Sequence, residues 1–122
     1  MKILLDESVP KALGYELQGH FARTVQFAGM AGFSNGALLA NMGKAGYEVL
    51  ITFDQNLPYQ QNDDLPVRVI VLQASNNRVS TALAFVPQIL RLLDLNFESP
   101  EKVVRLSLNW NREKKVSTSW EK

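Results

Sequence analysis

Apolar and polar positions along the chain follow two alternating periods. Residues 2–5 (KILL) form a short unbroken apolar run that ends at Asp6, the pattern of a buried strand. Val9, Leu13 and Leu17 then recur every four residues, which predicts a helix to about Gly19. Ser8 is placed to cap it, and Pro10 sits in its first turn, where a missing N–H costs little. Residues 21–27 (FARTVQF) read as a second strand, followed by the glycine-rich loop GMAGFS. Ser34 caps a second helix, with Leu38, Leu39, Met42 and Ala45 inward and Gly46 as its stop. Residues 48–53 (EVLITF) predict a third strand that ends at Asp54, and 67–72 (VRVIVL) a fourth, after the polar loop QNLPYQQNDDLP. Val79, Leu83, Val86, Ile89, Leu90 and Leu93 mark a helical region that Pro87 should kink or split. Residues 102–108 (KVVRLSL) add a candidate fifth, edge strand, and the polar segment 109–122 reads as a frayed tail.

Strands alternating with helices predict an α/β fold with a mostly parallel sheet covered on both faces. Right-handed crossovers, with a chain that doubles back after strand two, give an expected order of 2-1-3-4. In such sheets ligands bind beyond the carboxyl ends of the strands, where the order reverses. That point lies between strands one and three, and both end in aspartate.

Composition narrows the class. The chain has 122 residues and 46% hydrophobic positions, as expected of one globular domain. Cysteine is absent, which excludes disulfides, thiolate zinc sites and cysteine nucleophiles and fits a cytoplasmic setting. The opening MKILLDE is too short an apolar run for a signal peptide or a membrane span, so no membrane partner is expected. A net charge of +1 gives no global field for nucleic acid, so any such contact must be local.

Neighbouring strands lie about 4.8 Å apart, so Asp6 and Asp54 are expected to share one hard cation. Either aspartate alone reads better as a turn or helix cap; the pair at the reversal point is what suggests a site. Mg²⁺ commonly takes one or two carboxylates and keeps several waters, and Mg²⁺ or Mn²⁺ can activate water against a phosphodiester. Glu7 is a further candidate ligand. Around this pair, Thr52 could bond the strand end or Asp54, and Gln55, Asn56, Gln60 and Gln61 supply amides. Tyr59 could stack on a base, although the same loop also suits plain turn chemistry. Asn76 and Asn77 read as caps of the following helix. Arg78 at that helix start opposes the dipole, so a phosphate or carboxylate partner is plausible. His20, the only histidine, is expected on the surface without a catalytic role, and Trp110 and Trp120 lie in the tail.

The runs LLDESVP, GMAGFSNGALLA, VLITFDQNLPYQQN, LPVRVIVLQASNNR and FVPQILRLL resemble a family of small bacterial PIN-like proteins, relatives of toxin-type PIN nucleases. The likeness covers the chain to about residue 108. It implies a three-layer α/β/α PIN-like domain over 1–108 and a metal-dependent ribonuclease with an active site of three or four carboxylates. Asp6 matches the first of these and Asp54, in TFD, the aspartate of a T-x-D signature. A helix position that often carries an acid falls near Asn35, so Asn35 is a candidate, neutral ligand. No fourth acid is evident; Asp63 and Asp64 are loop residues without a motif. The resemblance further implies the toxin half of a toxin–antitoxin pair, with single-stranded RNA and a small antitoxin protein as partners. Two carboxylates and an amide predict weak Mg²⁺ or Mn²⁺ binding. A homodimer is compatible with the sequence.

Two other readings stand beside this one. A PIN-like fold that has lost acids would act as a catalytically weakened binding module, which Asn35 favours. A phospho-signalling receiver domain also places acids after strands one and three. Against the receiver, only residues 55–66 separate Asp54 from strand four, Gln73 occupies the expected hydroxyl position, and no lysine ends strand five.

Overall fold

The computed structural model describes residues 1–57, 65–97 and 101–108. Tyr59, Gln60, Gln61, Asp63, Asp64, Trp110, Trp120 and the tail 109–122 lie outside the described residues. The elements run β1 (Lys2–Leu5), α1 (Ala12–Tyr15), β2 (Phe21–Thr24), α2 (Asn35–Lys44), β3 (Val49–Thr52), β4 (Arg68–Gln73), α3 (Val79–Ala84), α4 (Val86–Asp94) and β5 (Val103–Ser107). The five strands form one sheet in the order β2-β1-β3-β4-β5, and every pairing is parallel. Chain progression along the sheet therefore reverses after β2, and β1 and β3 are neighbours.

The near-continuous apolar strands follow from burial on both faces. Ile3, Leu5, Val49, Ile51, Ile70 and Leu72 point to one side, where Leu13 and Leu17 cover them together with Phe85, Ile89 and Leu93 of the α3–α4 region. Leu4, Leu50, Val69 and Val71 point to the other side, under Leu38, Leu39 and Met42 of α2. Helices thus cover both faces of the sheet, with α2 facing the remaining three. Among the described residues no helix is long and apolar enough to cross a membrane.

Several element boundaries follow local chemistry. Ser34 Oγ accepts the Ala37 N–H and caps α2. At the other end Gly46 has φ +89°, and the N–H groups of Gly46 and Tyr47 donate to Gly43 and Met42, closing a Schellman motif. Pro87 splits the last helical region into α3 and α4, where it occupies the first turn of the second helix.

Other expectations need correction. The first helix does not run from Ser8 to Gly19. It is four residues long, and the N–H groups of Leu13, Gly14, Glu16 and Leu17 all donate three residues back, as in a 3₁₀ turn. Ser8 does not cap it, because its hydroxyl is committed elsewhere. Strand β2 stops at Thr24 rather than residue 27, because Thr24 Oγ1 accepts the Phe27 N–H and turns the chain. His20 is not a surface side chain. Only 9% of it is exposed; its Nδ1 lies 3.1 Å from the N-terminal amine and its Nε2 3.4 Å from Asp94 Oδ1.

Candidate functional site

Strand alternation decides which side chains meet at the carboxyl edge of the sheet. Leu4 and Leu50 face α2, so Asp6 and Thr52, each two residues further on, continue toward the same face. The Asp6 N–H donates to the Ile51 carbonyl at 3.0 Å, which sets Asp6 beside Thr52. Phe53, one residue out of phase, packs its ring edge-on against Phe85 on the opposite face, with centroids 6.3 Å apart. That contact anchors the turn that carries Asp54.

Two hydroxyls hold Asp6. Thr52, fully buried, donates from Oγ1 to Asp6 Oδ2 at 2.8 Å and accepts the Asp54 N–H at 2.9 Å. Ser8 donates from Oγ to the same Oδ2 at 2.9 Å and accepts the Phe53 N–H at 3.1 Å. An N–H can only donate, so each hydroxyl must turn its proton to the carboxylate. The result is a closed set of polar contacts between the ends of β1 and β3. Asp6 Oδ1 takes no part in it, and among the described residues neither Asp6 nor Asp54 has an ion-pair partner. Asp54 Oδ1 accepts the Asn56 N–H at 3.0 Å, an Asx turn that orients the second carboxylate.

Asp6, Glu7, Asn35 and Asp54 all line one open cleft of about 310 Å³, together with Ser8, Val25, Met30, Gly32, Phe33 and Leu38. Asn35 enters it as the first residue of α2. Thr52 is buried beneath the pair, and Asn56 contributes its backbone N–H to Asp54. Arg78 is exposed at the N-cap of α3, caps nothing with its side chain, and is not among the residues lining the cleft. Of the two asparagines before α3, Asn76 accepts the Arg78 N–H and the Thr81 hydroxyl, much as a cap would. Asn77 is not a cap. It donates from Nδ2 to the Ser8 carbonyl at 2.9 Å and ties the β4–α3 turn to the site.

The donors are oxygens: carboxylates of Asp6, Glu7 and Asp54 and the amide of Asn35. Such a set suits Mg²⁺ or Mn²⁺ and not a soft metal. Among the described residues, no three His, Cys, Asp or Glu side chains come together as a metal-holding group. The lining therefore offers no closed cage of protein ligands.

Sequence reasoning missed Ser8 and Asn77 as parts of the site. Ser8 did leave a signal. Asp-x-Ser at 6–8 and Thr-x-Asp at 52–54 each pair a carboxylate with a hydroxyl two residues away, on the same side of an extended chain. Asn77 left none, since its partner is distant in sequence.

The chain matches no protein-family model, and no curated protein or solved structure matches it.

Proposed function

We propose that this chain is a metal-dependent endoribonuclease of the PIN-like type, with Asp6 and Asp54 as the carboxylates that hold Mg²⁺ or Mn²⁺. One observation carries the reading: Asp6 and Asp54 line a single cleft where the strand order reverses, with Glu7 and Asn35 beside them. Bound there, the ion would supply an activated water and offset charge on the scissile phosphate. The chain's own residues do the positioning. Ser8 and Thr52 fix one oxygen of Asp6 and leave the other for the ion or its waters. The Asn56 N–H orients Asp54, and Glu7 stands exposed at the cleft as a third carboxylate. Asn35 brings an amide and the positive end of α2 toward an anionic substrate. Single-stranded RNA as substrate, and a small antitoxin as partner, rest on the sequence resemblance.

A catalytically weakened binding module is the second reading. It is favoured by the amide at Asn35 and by the absence, among the described residues, of three converging acids. Incubation with single-stranded RNA and Mn²⁺ separates the two. Cleavage that disappears in Asp54→Asn supports the nuclease. If neither the wild type nor Asn35→Asp cuts RNA, while both bind a partner protein tightly, the binding module stands instead.

A further inference from the structure

Beside the acidic cleft, the open edge of the sheet carries a surface of opposite character. β2 is an edge strand, and a groove of about 350 Å³ runs between it and α1. Leu5, Gly14 and Ala22 are among the residues that line it. A Cβ on Gly14 would stand 3.1 Å from Leu5 Cδ1, so the glycine brings α1 close to the sheet. Tyr15 and Phe27 also line the groove while 74% and 73% exposed, the two most exposed large hydrophobic residues described. Lys11 and Arg23 add two cations, and no carboxylate lines it. Among the described residues neither cation is in an ion pair.

We propose that this groove binds single-stranded RNA, with bases on Tyr15 and Phe27 and phosphates at Lys11 and Arg23. Exposed rings interleaved with cations are the general means of holding unpaired nucleic acid, since every base offers a π-face and every linkage a negative charge. Two features argue against a peptide strand pairing on the same edge. Arg23 folds over the edge and donates from Nη1 to the Ala22 carbonyl at 3.0 Å. Its guanidinium also lies over Phe21, 4.0 Å from the centroid, and near Phe27 at 5.0 Å. An edge occupied in this way is blocked to strand addition. The groove also adjoins the cleft. Leu5 and Thr24 line the groove, and the residues that follow them, Asp6 and Val25, line the cleft. That the bound strand continues to the cleft rests on the ribonuclease reading; the binding itself does not.

The test is fluorescence anisotropy of a labelled oligouridylate with excess EDTA at low salt, so that no metal-dependent cleavage occurs. The wild type should bind the oligonucleotide although no metal is present. Tyr15→Ser and Phe27→Ser should each weaken binding by on the order of tenfold, with an unchanged melting temperature because both rings are exposed. Lys11→Gln should lower the slope of log affinity against log salt by about 0.7. Binding that is lost in the ring variants, with no cleavage of the same oligonucleotide once Mn²⁺ replaces EDTA, would support the groove and count against the nuclease. Cleavage whose KM is unchanged in the ring variants would overturn the groove and leave the nuclease standing. So would a wild type that does not bind the oligonucleotide but loses a protein partner in Tyr15→Ser.

Discussion

The two ends of the sheet use their charged groups differently. At the amino end the charged groups tie down the backbone, stack on a ring and, at His20 and Asp94, meet one another. Lys2 donates from Nζ to the Ala45 carbonyl at 2.8 Å, with its ammonium over the Tyr47 ring at 4.5 Å. Glu48 accepts the Lys2 N–H, and His20 bridges the N-terminal amine and Asp94. At the carboxyl end, Asp6 and Asp54 meet hydroxyls and N–H groups, and no cation among the described residues. Those contacts orient the carboxylates without neutralising them. The amino end closes the fold; the carboxyl end presents two carboxylates that have no ion-pair partner among the described residues.

Substitutions at each end should therefore differ in kind. The largest effect is expected from Asp54→Asn. Partners of metal ligands alone are typically worth 10–100-fold, so loss of a ligand should lower Mn²⁺-dependent RNA cleavage by at least about hundredfold. The fold should persist, as judged by an unchanged circular dichroism spectrum. Retained cleavage in this variant would erase the contrast between the two ends.

Thr52→Val sharpens it. The valine has nearly the same shape but leaves the Asp54 N–H without an acceptor and Asp6 with one donor fewer. Chemical denaturation should show a loss of about 1–3 kcal/mol. Activity should fall roughly tenfold, as for other groups that orient a metal ligand. Thr52→Ser should restore both, which a simple packing defect would not allow.

Asn35→Asp works in the opposite direction. A further carboxylate in the cleft should tighten Mn²⁺ binding by about tenfold in calorimetry, since ligand charge sets affinity in such sites. Stability should change little, because an acid suits the first turn of α2. No change in affinity would place Asn35 outside the ion's reach.

The smallest effect belongs to the amino end. Asp94 is 70% exposed, so Asp94→Asn should cost less than about 1 kcal/mol in denaturation. Metal-dependent activity should stay within about twofold of the wild type.

The contrast between the ends also explains what could be read from sequence. Strands such as KILL and VRVIVL were legible because burial on both faces demands unbroken apolar runs. Ser34, Gly46 and Pro87 were legible because capping, left-handed backbone and a missing N–H act locally. The same local logic failed at Ser8. A serine before an amphipathic stretch reads as a cap, yet its hydroxyl is drawn to Asp6 and to the Phe53 N–H, a residue distant in sequence. With that cap gone and Gly14 pressed against Leu5, α1 shrinks to four residues. His20 misled for a related reason, since both groups beside its ring come from elsewhere in the chain. Positions of Asp6 and Asp54 at strand ends were readable. The hydroxyls that hold Asp6, and the asparagine tether behind Ser8, depend on tertiary contacts that no local pattern records.

The most direct test of a shared metal site is a crystal soaked in Mn²⁺ and measured for anomalous scattering. The expected result is one peak in the cleft, touching a carboxylate oxygen of both Asp6 and Asp54 with waters completing its shell, and absent in Asp6→Asn. A peak bound elsewhere on the protein, or none in the cleft at a concentration that supports RNA cleavage, would contradict the account.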